Sequence, residues 1–162
     1  VGYLHVVDGK TREAVDILRP LYLKTVAPST GIVLAALLDE LDEPAERDRI
    51  LSELSRSPQT RVEKLDGLLN VLRQSLSAKV PGPFDPAALA DALGQIPASR
   101  RHAVSVFTAS ILHNHGEAER AKILLRRSLT AMPDDSWERA LATIWLEAWE
   151  HEAGAVGPPP TE

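Results

Sequence analysis

Apolar positions recur at helical spacing along nearly the whole chain. From Thr11, Ala14, Val15, Leu18 and Leu21 fall three and four apart. Pro20 lies inside that helix and is expected to kink it or end it early. Residues 32–41 are apolar on nearly every side, through Ile32, Val33, Leu34, Ala35, Ala36, Leu37, Leu38 and Leu41. A helix of that kind is buried between neighbours, and Ser29-Thr30 can cap it. Pro44 opens its partner, which shows Ile50, Leu51 and Leu54. Thr60 with Glu63 has capping-box spacing and predicts a long helix carrying Val62, Leu65, Leu69, Leu72 and Leu76. Asp85 before Pro86 opens a short helix running to Leu93, closed by Gly94 and Pro97.

Residues 102–133 predict two helices back to back. Val104, Phe107, Ile111 and Leu112 mark the first, which stops at Asn114-His115-Gly116, where Gly116 can take a positive φ. The second places Ala121, Leu124, Leu125, Ser128 and Leu129 on one side and Arg120, Lys122, Arg126 and Arg127 on the other, and ends at Met132-Pro133. Asp135 with Glu138 then opens a last helix with Trp137, Leu141, Ile144, Trp145 and Ala148. Having no partner helix, it is expected to cap a stack.

The punctuation repeats. Turns at Gly9, Asp42-Glu43, Gly82 and Gly116 are spaced 33 to 34, 39 to 40 and 34 residues apart. Prolines ending hairpins, Pro28, Pro58, Pro97 and Pro133, are spaced 30, 39 and 36. Both series fit a unit near 34 residues, the third lengthened by the proline-rich loop 80–86. Ala109, Gly116, Ala121 and Pro133 together resemble a tetratricopeptide repeat, and Gly9 with Ala14 repeats the Gly116-to-Ala121 interval. Leu stands where such repeats usually place aromatics. The resemblance implies an all-α, right-handed α-solenoid of about four hairpins with a C-terminal capping helix. A HEAT-like stack and an irregular helical bundle are the alternatives. The domain is expected over residues 1–152, as a piece of a longer protein, with a disordered tail over 153–162 rich in Gly and Pro.

Composition narrows the chemistry. The chain has 162 residues, no cysteine and only 4% aromatics, so the core is Leu, Val, Ile and Ala, and disulfides and thiolate chemistry are excluded. No apolar run approaches the ~20 residues of a membrane helix, and no leader-like stretch is present, so a cytoplasmic protein is expected. The net charge of −5 is uneven: −4 over residues 1–55, +5 over 56–127 and −6 over 128–162.

His113 and His115 stand two apart, so on a helix they diverge, and with His102 they make no metal site. The acidic pairs Asp39-Glu40, Asp42-Glu43 and Asp134-Asp135 suit helix ends. No phosphate-cradling glycine loop or nucleophile motif occurs, so neither an enzyme nor a cofactor is expected. Scarce aromatics and the acidic balance argue against nucleic acid.

The resemblance implies a non-catalytic scaffold that binds a protein or peptide in a concave groove lined by first helices. Groove candidates are Arg61, Lys64, Ser110, His113 and Asn114. Arg61, Lys64, Arg100 and Arg101 would attract an acidic partner. The alternative is an accessory or oligomerisation domain of a larger enzyme or regulator, in which self-association would use an apolar patch at the first helix or the Trp face.

Overall fold

The computed structural model describes residues 2–76 and 84–155, with side chains over 5–76 and 84–151. Ten helices fill the described residues, and no strand occurs among them. In chain order they are α1 (Gly2–Val7), α2 (Thr11–Thr25), α3 (Pro28–Glu40), α4 (Pro44–Arg56), α5 (Pro58–Val62), α6 (Asp66–Leu76), α7 (Pro86–Gln95), α8 (Ala98–Asn114), α9 (Ala118–Leu129) and α10 (Trp137–Ala155). The fold is all-α. The turn expected at Gly82 lies outside the described residues; those at Gly9 and Gly116 take φ of 70° and 82°. At Asp42, φ is 55°, a left-handed value that aspartate adopts more readily than most residues.

Local signals were read correctly in some places and overridden in others. Pro44 and Pro86 open α4 and α7, and Asp85 Oδ1 accepts from the amides of Ala87 and Ala88 as the α7 cap. Pro20 neither ends nor shortens α2: the helix runs on to Thr25, and Pro20 sits on an exposed face. It stops only where Val26 turns left-handed. Pro28 opens α3 in place of the Ser29-Thr30 cap. The long helix expected after Thr60 is divided into α5 and α6, because Lys64 takes a left-handed φ of 56°. The Thr60 hydroxyl, rather than capping a new helix, donates to the Leu54 carbonyl at 2.6 Å. At α10 the cap is Ser136, whose Oγ accepts from the Arg139 amide, and not Asp135. Helix α10 continues to Ala155, past the expected start of the tail; residues 156–162 lie outside the described set.

Two helices are buried through their middles. Every residue from Thr30 to Leu38 in α3 and from Val104 to Leu112 in α8 is buried. Such helices need neighbours on all sides, and they have them: α3 packs on α2, α4 and α8, while α8 packs on α3, α9 and α10. Each fully buried Leu, Ile or Phe contributes about 1.5–3 kcal/mol. In an open row the third hairpin would separate α3 from α8. Here the fourth hairpin lies directly on the second, α1 meets α10, and α6 with α7 is set outside against α4. Trp137, Trp145 and Trp149 turn inward: Trp145 meets Phe107 edge-on at 5.8 Å, and Trp149, buried, lies 5.9 Å from Trp145.

Gly31 is the point of closest approach among α2, α3 and α4. A Cβ there would stand 2.8 Å from Tyr22 Cε2 and from both Leu54 methyl groups. Tyr22 itself is sealed in, and burial, with the nearby Glu53 charge second, pushes its phenol up to about 12. Gly31→Ala gains about 1 kcal/mol of helix propensity but overpacks a closed site at a cost of about 1–3 kcal/mol. We expect a net loss seen as a Tm lower by a few degrees, at roughly 2–4 °C per kcal/mol. An unchanged or raised Tm would show that α2 and α4 do not close on α3 here.

Candidate functional site

The open feature of this molecule lies between α7 and the α8–α9 hairpin. Helix α7 is tied to that hairpin at both ends by arginines. At its N-terminal end Arg120, on α9, donates to the Phe84 carbonyl at 3.0 Å, and the buried Phe84 ring meets His115 edge-on at 6.3 Å. At its C-terminal end Arg101, on α8, donates to the carbonyls of Gly94 (3.0 Å) and Ile96 (2.7 and 3.0 Å), groups that the end of a helix leaves unpaired. Between these ties α7 stands off α9, leaving a cleft.

One half of the cleft, about 230 Å³, is walled by Phe84, Leu89, Leu93, Leu112, Ile123 and Leu124, with Arg120 and Arg127 at its side. The other half, about 410 Å³, is lined by Gly94, Ala98, Arg101, His102, Ser105, Ser128 and Ala131. Ala90, Leu93, Leu124 and Arg127 line both halves, so the cleft is continuous. Among the described residues no acidic side chain lines either half. Ile123 is 48% exposed, and Arg127, also exposed, makes no ion pair among the described residues. The walls therefore offer carbon surface and guanidinium donors.

A second polar cluster sits where the ends of α3 and α8 meet. Asp39, its side chain only 4% exposed, accepts from Arg47 and Asn114 and lies 3.0 Å from His115 Nε2. Burial alone would lower the Arg47 guanidinium; its hydrogen bonds to Asp39 and Asp48 outweigh this and hold it above the ordinary arginine range. Every strong acceptor here is already used, so the cluster locks α3, α4 and α8 together and presents little to a ligand.

The residues expected in a groove fall in two groups at opposite ends of α8, roughly 20 Å apart at 1.5 Å per residue. Arg61 and Lys64 are exposed near the α8 N-terminus, where Arg100 pairs with Glu63 at 2.6 Å. Arg101 belongs to the cleft, as a tie on α7. At the far end Ser110 is buried, His113 stacks on Trp149 at 4.1 Å, and Asn114 donates to Asp39. Of these three, only Ser110 is buried; His113 is half-buried and Asn114 exposed. Arg120 and Arg127 were read only as the polar side of α9. The available signal was Ile123, a large apolar residue among those charges. Among the described residues no group of three His, Asp or Glu can hold a metal ion, and no helix is long and apolar enough to cross a membrane. Comparison with family models, with curated proteins and with solved structures found no match.

Asp39→Ala leaves the buried Arg47 only Asp48 and removes the acceptor shared with Asn114 and His115. It is expected to cost about 2–3 kcal/mol in urea unfolding, with part of it restored by adding Arg47→Met. A loss below about 1 kcal/mol would mean that this cluster does not join the two hairpins.

Proposed function

We propose that this chain is a non-catalytic interaction domain that takes an acidic segment of a partner protein into the α7–α9 cleft. The observation carrying this reading is the cleft's lining: an apolar floor, three arginines and a histidine, and no carboxylate. Apolar walls supply affinity, and a positive rim, in which Arg120 is partly met by Glu117 and Arg127 makes no ion pair among the described residues, selects negative charge. The same reading takes α3–α4 and α8–α9, followed by α10, as consecutive hairpins of a right-handed tetratricopeptide-like stack, from which α5–α7 is an inserted outrigger. The direct contact of α8 with α3 supports that order. It moves the partner site from the first-helix face to the gap the outrigger leaves. A second reading, self-association as an accessory domain of a larger protein, is favoured by Ile17 and Leu21, exposed one turn apart on α2.

The test is fluorescence anisotropy with a pool of acidic peptides at low and high salt. Ile123→Glu with Arg127→Glu, both at exposed positions, is expected to weaken binding at least about tenfold, or about 1.4 kcal/mol. Arg61→Glu with Lys64→Glu is expected to change it by less than about twofold, since these charges are screened at the surface. The reverse pattern would place the partner on the α5 side of the molecule.

A further inference from the structure

Resting on the reading of an acidic partner segment, the geometry points to the form of that segment: an amphipathic helix laid between α7 and α9 as a third helix. Three observations combine. The first is hydrogen bonding. An extended peptide sunk in an apolar cleft must pair its amides and carbonyls with something. A strand-binding site offers a sheet edge for this; here the walls are helices whose backbone groups are already paired, and no strand occurs among the described residues. The charged groups of the rim are donors, which can meet carbonyls but not N–H groups. A helical ligand satisfies its own backbone and asks only for side-chain contact.

The second is shape. The cleft follows α7, whose 10 residues span about 15 Å. One wall presents Leu89 and Leu93, four apart on α7; the other presents Ile123 and Leu124 on α9, with Arg120 three residues before Ile123 and Arg127 three after Leu124. Ridges of this kind receive a helix whose own apolar residues recur at i, i+3 or i+4, and i+7. Because α7 is held at its ends by Arg101 and Arg120, the gap between those ties is kept open without a ligand. The third is charge. Arg127 lines both halves of the cleft and makes no ion pair among the described residues. Glutamates flanking the ligand's apolar stripe would reach it, and would reach Arg120 in competition with Glu117, 3.1 Å away.

The experiment uses the full chain and two labelled peptides of about 15 residues, a length at which helices begin to hold in water. One carries leucines at i, i+3, i+4 and i+7 with glutamates beside them; the other alternates leucine and glutamate and has two interior prolines. The helical design is expected to bind saturably, to gain helical circular dichroism on binding, and to lose about tenfold in affinity with Arg127→Glu. The alternating design is expected to bind at least about tenfold more weakly. Equal binding of both, with the same Arg127 dependence, would overturn the helical occupant and leave the acidic-segment reading standing. Failure of both to bind would overturn the two together. Sedimentation is run alongside: a dimer that Ile123→Glu dissolves would identify a second copy of the chain as the occupant and overturn the proposal.

Discussion

Two buried helical stretches set the terms on which the rest of the chain packs. Every residue from Thr30 to Leu38 and from Val104 to Leu112 is buried, and a helical stretch of that kind is tolerable in water only when surrounded. Each supplies part of the other's cover. The rest must come from elsewhere, and the chain supplies it with α2 and α4 around α3, and with α9 and α10 around α8. Small residues such as Gly31, Ala36, Ala109 and Ala121 keep these contacts close, while Asp39, Arg47, Asn114 and His115 fix how far α8 slides along α3.

That demand for cover decides where a partner could sit. An open repeat array keeps its first helices available along a concave surface. Here α1 reaches α10, α10 meets Phe107 edge-on through Trp145 and stacks Trp149 on His113, and Ser110 is buried. The third hairpin is the piece left over. Set against α4, it leaves α7 tied to the fourth hairpin at its two ends, with the cleft between. The cleft is thus a by-product of the same pairing that stabilises the core.

Local structure was legible in the sequence and long-range order was not. The all-round apolar run 32–41 marked a buried helix, and Gly9, Gly116, Pro44 and Asp85 marked ends by conformational preferences that hold in any context. Pro20 and Lys64 depart from local preference because tertiary packing outweighs it: a proline is carried through an exposed helix face, and a left-handed lysine breaks what the Leu stripe alone would continue. The register of repeats suggested that unit three would lie between units two and four. Periodicity contains no term for which hairpin meets which, so the α3–α8 pairing could not be read from it. Of the candidate site, the basic character of residues 56–127 was visible and includes Arg101, Arg120 and Arg127. Their convergence on one cleft depends on α7's position, which follows from the folded arrangement.

Native-state hydrogen exchange resolved along the chain tests the α3–α8 pairing most directly. Hairpins in an open array that touch only their neighbours unfold with separate stabilities, whereas two helices that bury each other must open together. The account predicts that the amides of 30–38 and 104–112 exchange only through one common opening, the costliest in the molecule, and that Gly31→Ala lowers protection equally in both. Protection of 104–112 that is untouched by that substitution, or that differs from 30–38 by several kcal/mol, would contradict it.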